Sequence, residues 1–237
     1  MLKACLNGAR LPAEHPALPV TAEQVAADTV AVLAAGADMV HVHVKDDVGR
    51  DTFAAGTLAR TLEATRAAAP DVRIGVTTGA WAEPSLARRL EAVSSWTSLP
   101  DFASVNWHEE GAEPLAGLLL DRGVGVEAGL WTVDAVRAWL DSPLAGRCLR
   151  VLLELPDESD EVAVLSTADR MIDVLRAGGA DRSVLLHGEG AATWPVLRHA
   201  RRLGLDTRIG LEDTLVLPDG STAPGNAALV AAARAAG

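Results

Sequence analysis

The chain has 237 residues, and 49% of them are hydrophobic, which is enough to bury a sizeable core. Its formal net charge of −11 at pH 7 disfavours nucleic acid or an anionic membrane surface as a partner. No apolar run approaches the ~20 residues of a membrane span, and the N-terminus shows no signal-peptide pattern. Cys5 and Cys148 both lie in apolar runs, which is typical of buried free thiols. We therefore expect a cytoplasmic protein.

Short β-type runs alternate with longer helical patterns along the whole chain. In chain order, strands are predicted at 3–7, 39–44, 72–77, 102–106, 123–127, 148–154, 183–187 and 207–211. Helices are predicted to follow them at about 22–35, 54–68, 84–93, 112–121, 132–140, 161–177, 192–203 and 224–235. Eight strand–helix units in ~250 residues indicate parallel strands with crossover helices, as in an α/β (β/α)8 TIM barrel. We expect a single catalytic domain over residues 1–237. A doubly wound sheet is the alternative, but no Gly-x-Gly-x-x-Gly follows the first strand.

Two histidines in the second predicted strand are the most informative local feature. His41 and His43 are two residues apart in a β-branched run, so their side chains point to the same side. Neutral imidazole is a preferred zinc ligand, although this spacing equally fits a pair of hydrogen-bonded core histidines. Glu212, at the end of the eighth strand, is the candidate third ligand. Two histidines and a carboxylate leave an open position, as in catalytic zinc sites, and also fit iron(II).

Other polar residues are predicted at the same rim. Arg208 and Asp213 flank the candidate carboxylate ligand, and an arginine can hold an aspartate ionised and oriented for proton transfer. A plain salt bridge is the alternative. Thr77, Ser104 and Asn106 end the third and fourth strands and offer hydroxyl and amide groups for a carboxylate or carbonyl. Strand-end capping is the alternative for these three residues.

Taken together, these segments resemble the β-keto acid cleavage enzyme family. Residues 41–50, HVHVKDDVGR, are similar to the family's H-x-H-x-R-x-x-x-G-R segment, and residues 208–213, RIGLED, to its R-x-G-x-E-D segment. Residues 77–79 are similar to S-T-G-G, and residues 104–106 to T-L-N. Residues 226–230 match the N-x-x-L-V of the family's final helix. The resemblance extends over nearly the whole chain.

The resemblance implies a zinc enzyme that converts a β-keto acid and acetyl-CoA into acetoacetate and a new CoA ester. The metal ligands would be His41, His43 and Glu212, holding one Zn²⁺ per chain. Arg208 and Asp213 would act together in proton abstraction, while the hydroxyl groups at positions 77 and 104 would position the substrate carboxylate. A metal-dependent barrel lyase or aldolase that does not use CoA is the nearest alternative, and a barrel that only binds a small ligand is another.

The chain departs from the family at positions that bear on specificity. Arg10 stands where the family member that acts on 3-keto-5-aminohexanoate has an acidic residue, and Gly129 replaces the second acid of its E-x-E, while Glu127 keeps the first. We therefore predict that Arg10, Glu127 and Asn106 contribute to substrate binding, and that the substrate is an acidic or neutral β-keto acid without an amino group. A homo-oligomer is expected, although the chain ends soon after its last helix where relatives continue.

Overall fold

Eight strands and eight α-helices alternate along residues 1–236, the part of the chain that the computed structural model describes. The strands are β1 Leu2–Cys5, β2 Met39–Val42, β3 Ile74–Thr77, β4 Phe102–Asn106, β5 Gly125–Leu130, β6 Arg150–Leu155, β7 Val184–Gly188 and β8 Thr207–Ile209. The helices are α1 Ala22–Ala34, α2 Ala55–Ala68, α3 Leu86–Ser94, α4 Ala112–Asp121, α5 Val133–Leu140, α6 Glu161–Ala177, α7 Thr193–Arg202 and α8 Asn226–Ala235. The alternation confirms the order of elements predicted from the sequence.

The strands form one parallel sheet in the order β7-β6-β5-β4-β3-β2-β1-β8. The two edges of this order meet through a parallel bridge between Leu185 and Asp206. The Leu186 N–H also donates a backbone hydrogen bond to the Asp206 carbonyl at 2.9 Å. The sheet is thus a nearly closed (β/α)8 barrel, which confirms the predicted fold. In such a barrel, strands four positions apart face each other across the axis.

The strands are buried on both faces because helices cover the outside of the barrel. Nearly every strand residue is buried, and the strand sequences are accordingly rich in Val, Leu, Ile and Ala. The first helix begins as its sequence predicts, since the Thr21 side chain accepts a hydrogen bond from the Gln24 N–H in a capping box. No helix within residues 1–236 is long and apolar enough to cross a membrane.

Two of the differences between predicted and observed strand ends move functional candidates. β5 continues to Leu130, three residues beyond its predicted end, because Asn106 pairs with Gly129 and Leu130 pairs with Leu153 in the ladder. Glu127 therefore lies inside the barrel wall. β8 ends at Ile209, so that Glu212 lies in the turn that follows it.

Candidate active site

A cavity of about 420 Å³ opens at the carboxyl ends of the strands. This is the end of a (β/α)8 barrel at which catalytic groups are normally found, and the volume suits a small organic substrate. The lining combines two indole rings with polar side chains that end or follow seven of the eight strands. It consists of Ala9, Arg10, Glu14, His41, His43, Thr77, Trp81, Ser104, Asn106, Trp131, Glu154, Glu189, Arg208 and Glu212.

The three predicted metal ligands lie together in this cavity. One nitrogen of His41, one nitrogen of His43 and one carboxylate oxygen of Glu212 all lie within 4.8 Å of one another. The two imidazole rings meet edge to face with centroids 5.4 Å apart, and Nε2 of His43 lies 3.8 Å from Oε1 of Glu212. Only β1 lies between the two strands that lead to these residues. The barrel therefore brings His41 close to Glu212, although they are 171 positions apart in the sequence.

The ring of His43 is held by a layer of residues behind it. Its Nδ1 lies 2.8 Å from Oδ2 of Asp51, which leaves Nε2 directed at Glu212. Lys45 donates to Oδ1 of the same carboxylate at 2.5 Å, and the Trp81 indole N–H donates to Oδ2 at 2.8 Å. Trp81 also stacks on the imidazole, with centroids 5.7 Å apart. Such carboxylate–histidine pairs fix the tautomer of metal-ligating histidines.

The chemical state of the cluster fits a divalent cation. His41 Nδ1 and Glu212 Oε2 are buried and have no hydrogen-bond partner among residues 1–236. Burial, assisted by the charge of Lys3, lowers the pKa of His41 well below its ordinary value, so the imidazole is neutral at pH 7. Burial raises the pKa of Glu212, but Arg208 and His43 outweigh it, so its net pKa is lowered and the carboxylate is ionised. Neutral nitrogens and an ionised oxygen are the ligand forms that metals require.

A glycine makes room for the third ligand. Gly8 follows β1 with φ +57°, and a Cβ there would lie 2.5 Å from Cγ of Glu212. Only glycine combines this left-handed backbone with so close an approach. Gly8 is a residue of the site for which the sequence patterns predicted no role.

Arg208 and Asp213 form a buried pair beside the cluster. The guanidinium donates to Oδ1 of Asp213 through Nε at 3.0 Å and Nη2 at 2.7 Å, and Nη2 also lies 2.9 Å from Oε1 of Glu212. Burial raises the pKa of Asp213 to about 7 against the opposing effect of Arg208. Arg208 lines the cavity, whereas Asp213 is fully buried and does not. The pair therefore reaches the cavity through its guanidinium.

The three predicted substrate-binding residues of β3 and β4 line the cavity, but they differ in how many hydrogen bonds they already make to the protein. The Ser104 hydroxyl makes no hydrogen bond within residues 1–236, and Oγ1 of Thr77 accepts one from the Gly79 N–H at 3.2 Å, which leaves its own hydrogen free to donate. Asn106 is fully engaged, since its amide donates to Glu109 at 2.9 Å and accepts from Trp131 at 3.2 Å. Two hydroxyls are thus available to a substrate.

Glu109 explains how the loop after β4 is held. Its Oε2 accepts hydrogen bonds from the buried guanidinium of Arg89 at 2.7 Å and from the Ala80 N–H at 2.9 Å, while Oε1 accepts from Asn106. One carboxylate therefore ties the loops after β3 and β4 together. This part of the acidic 107–110 loop supports the cavity wall from outside.

Two further predicted substrate-binding residues have internal partners. Arg10 lines the cavity, but its guanidinium donates to the Leu211 carbonyl at 2.5 Å and forms a 3.1 Å ion pair with Glu14. Glu127 does not line the cavity. It is fully buried inside the barrel, with Oε2 at 2.5 Å from the Lys3 ammonium and Oε1 at 3.2 Å from Nε of Arg150. The longer β5 strand is the reason for this placement.

Three residues at the ends of β6 and β7 were given no role by the sequence. Glu154 and Glu189 line the cavity, and His187 Nε2 lies 3.2 Å from Oε2 of Glu154. Burial raises the pKa of both glutamates to about 7. Burial and the charge of Arg208 lower the pKa of His187 well below its ordinary value. Their positions at the ends of predicted strands could have indicated that they lie at the site, but no sequence motif links them.

Sequence comparison shows which known proteins the chain is similar to. A sequence model of a family described as beta-keto acid cleavage enzyme matches residues 1–113 and 153–237. A 3-oxoadipate:acetyl-CoA acetyltransferase from Cupriavidus necator is 25% identical over 235 residues, which is 92% of this chain and 80% of that protein. A 3-keto-5-aminohexanoate cleavage enzyme from Fusobacterium nucleatum subsp. nucleatum is 36% identical over 80 residues, 33% of this chain. The chain thus aligns with only 29% of the length of that relative.

Solved structures show the same fold at lower sequence identity. The complex of ObcA with oxaloacetate superimposes with a TM-score of 0.73 at 21% identity, covering 93% of this chain and 63% of that chain. The ternary complex of ObcA with a C4-CoA adduct and oxalate gives a TM-score of 0.75 at 19% identity, with the same coverage. These likenesses establish the architecture of the barrel.

Proposed function

The chain belongs to the beta-keto acid cleavage enzyme family, and we propose that it transfers the acetyl group of acetyl-CoA to a β-keto acid, releasing acetoacetate and a new CoA ester. The observation that carries this proposal is the cluster of His41, His43 and Glu212 in a cavity that also presents the Arg208 guanidinium and a free Ser104 hydroxyl. The cluster lies among these donors, so it suits a small molecule that carries both a keto group and a carboxylate.

His41, His43 and Glu212 would hold one divalent cation, which we propose to be Zn²⁺. Two imidazoles and one carboxylate form a donor set that zinc favours in catalytic sites. The cation would supply an electrophile that stabilises negative charge on a carbonyl oxygen. Asp51 and Trp81 hold the His43 ring ready for this ligand position before any ion binds.

The hydroxyls of Thr77 and Ser104 and the guanidinium of Arg208 would orient the substrate. A hydroxyl donor and a cation are suitable partners for a carboxylate, and their fixed positions would limit rotation of the keto acid. Arg208 and Asp213 would act together in removing the proton from the carbon between the two carbonyl groups: the guanidinium reaches the cavity, and the proton would end on Asp213 behind it. Its raised pKa of about 7 suits a group that takes up and returns a proton near neutral pH.

The proposed reaction needs no nucleophilic side chain. Loss of a proton makes the α-carbon a nucleophile, which bonds to the thioester carbonyl carbon of acetyl-CoA as the CoA thiolate leaves. The thiolate then bonds to the original keto carbon, and the bond between that carbon and the α-carbon breaks. The fragments are the new CoA thioester and acetoacetate, whose α-carbon receives the proton back. Both cysteines are buried, and burial raises the pKa of each thiol, so neither competes as a nucleophile.

For the rest of the substrate, we propose an acidic or neutral β-keto acid. The presence of Arg10 in the lining supports this choice, as does the absence of a side chain at Gly129. A cytoplasmic location and assembly into a homo-oligomer remain predictions from the sequence.

Turnover with and without acetyl-CoA tests the proposed function. We expect a panel of β-keto acids to yield acetoacetate and new CoA esters, detected by mass spectrometry, only when acetyl-CoA is present. Cleavage of the keto acid at the same rate without acetyl-CoA would instead support a metal-dependent lyase.

Metal content tests the cluster directly. Wild-type protein is expected to retain about one divalent metal ion per chain by elemental analysis, and His43→Ala to retain almost none and lose activity about 10³-fold. His199→Ala is the matched control, because His199 lies on α7 and bonds to Asp169. If the wild type binds no more metal than His43→Ala, the metal site is wrong.

A further inference from the structure

The cavity has a second polar end that faces the metal cluster. His41 and His43 belong to β2 and its end, and the strand four positions away is β6, which carries Glu154. Glu212 follows β8, and the strand opposite β8 is β4. A substrate whose keto and carboxylate groups lie at the metal cluster would therefore extend its remaining atoms toward the ends of β4 and β6.

Glu154 presents an unused acceptor at this far end. Its side chain is 5% exposed and lines the cavity. Oε2 is taken by His187, but none of residues 1–236 donates a hydrogen bond to Oε1. Oε1 is open to the cavity, where water or a ligand can supply the missing donor. The unpaired oxygen is thus placed to bind a substrate group.

Gly129 creates the space that Oε1 occupies. A Cβ at this position would lie 2.5 Å from Oε1 of Glu154 and 2.6 Å from Oδ1 of Asn106. Any side chain there would displace the carboxylate. The acid that position 129 lacks is therefore replaced, in space, by an acid from the neighbouring strand β6, and the cavity keeps a carboxyl group at its far end.

The charges around Glu154 decide which substrate group suits it. The facing ionisable groups are His187 and Glu189 from the end of β7, Arg208 from β8, Glu212 from the turn after it, and Lys3 and Glu127 from inside the barrel. No lysine or arginine within residues 1–236 forms an ion pair with Glu154 or Glu189. His187 is neutral at pH 7 because burial lowers its pKa. This end of the cavity therefore presents acceptor oxygens and no cation that pairs with them, which favours a donor group over a carboxylate.

We propose that Glu154 determines substrate specificity by accepting, through Oε1, a hydrogen bond from a donor group at the far end of the β-keto acid. The inference rests on the proposed function for the position of the keto acid head. A hydroxyl or an ammonium group carries the required donor. Of the acidic and neutral tails predicted from the sequence, the geometry selects a neutral tail that ends in a hydroxyl.

The test compares β-keto acids of equal length that end in methyl, hydroxyl, carboxylate or ammonium groups. With acetyl-CoA, the wild type is expected to use the hydroxyl-ended acid about 10-fold or more better than the methyl-ended acid, by kcat/KM. In Glu154→Leu the hydroxyl-to-methyl ratio should fall about 10- to 100-fold, because one buried hydrogen bond is lost. Glu154→Gln retains an acceptor and should keep most of the ratio. An equal loss for all four acids, or an unchanged ratio in Glu154→Leu, would overturn the proposal.

The ammonium-ended acid separates the two donor groups. If the wild type prefers it and Glu154→Gln loses that preference, Glu154 still reads the tail, and the prediction of a substrate without an amino group is wrong. If the carboxylate-ended acid is preferred in the wild type, the role of Glu154 as an acceptor is wrong.

A binding measurement separates this inference from the proposed function. Calorimetric titration of the hydroxyl- and methyl-ended acids into zinc-loaded protein without acetyl-CoA should show the same ratio as turnover. If this ratio appears in binding but no acetyl transfer occurs when acetyl-CoA is added, the role of Glu154 stands and the proposed reaction is wrong. Gly129→Ala provides a second variant, because its methyl group displaces Oε1, and it should lower the same ratio. Gly146→Ala is its matched control, since no atom lies within 4 Å of a Cβ there.

Discussion

The two ends of the cavity are built in different ways. At the metal end, the ligands come from two short segments, residues 41–50 and 208–213, and both lie inside the ranges that match the family. The far end combines Gly129 of β5 and Trp131, which lie in residues 114–152 outside those ranges, with Glu154 of β6, which lies inside them. The comparison shows that short motifs specify the reacting groups, while packing between neighbouring strands shapes the part of the cavity that receives the rest of the substrate.

The largest expected effect concerns Glu127, which was predicted to bind substrate but forms ion pairs inside the barrel. Lys3→Met would leave the Glu127 carboxylate buried without its 2.5 Å partner. We expect a loss of about 3 kcal/mol in the free energy of unfolding, because the buried Glu127 carboxylate then keeps only its 3.2 Å contact with Arg150. Urea unfolding measures it. Arg137→Met, which breaks an exposed pair with Asp134, is the control and should change stability by less than about 0.5 kcal/mol.

Glu127→Gln distinguishes a structural role from substrate binding. It should lower the stability of the barrel and leave the ratio of kcat/KM values among different keto acids unchanged. A selective change in KM for one tail, with stability unaltered, would restore Glu127 to the substrate site and weaken the contrast between the two ends.

At the metal end, the layer behind the ligands should matter nearly as much as the ligands. Asp51→Asn removes the negative charge that orients His43 and pairs with Lys45. We expect metal affinity to fall about 10- to 100-fold, measured by competition with a chromophoric chelator. Asp47→Asn, an exposed neighbour in the same loop, is the control. Equal affinities for both variants would show that His43 is held by packing against Trp81 alone.

The far end should produce a smaller, pH-dependent effect on stability. Burial raises the pKa of Glu154 from 4.5 to about 7, so the folded chain holds this proton more tightly than the unfolded chain. Its contribution is fully present below pH 4.5 and is lost as pH rises toward 7. Glu154→Gln does not titrate, so the variant should gain stability over wild type by about 1 kcal/mol per pH unit in this window.

Urea unfolding at pH 5, 6 and 7 measures this gain. The exposed Glu63→Gln on α2 is the control and should follow the wild type at each pH. A constant difference between Glu154→Gln and wild type would mean that the carboxyl group is ionised throughout, with solvent reaching it.

Residues near in sequence or at clear strand ends were predicted well. Runs of β-branched residues predicted every strand of the barrel, because parallel strands buried on both faces need continuous apolar sequence. The helical patterns between these runs predicted every helix. Two histidines in the second predicted strand and a glutamate at the end of the eighth were expected to meet, and the structure brings them together. Glu127 was misplaced because the sequence 123–130 does not mark where β5 ends; the pairing with β4 and β6 extends it to Leu130.

By itself, the sequence determined the fold class, the family and the groups that meet at the metal end, since strand periodicity and short motifs are local properties of the chain. Tertiary structure alone decided how the far end is arranged. There, a missing Cβ on β5 admits a carboxylate from β6, and the neutral imidazole from β7 takes only one of its oxygens. These contacts depend on the spacing between neighbouring strands, which no single segment of sequence encodes.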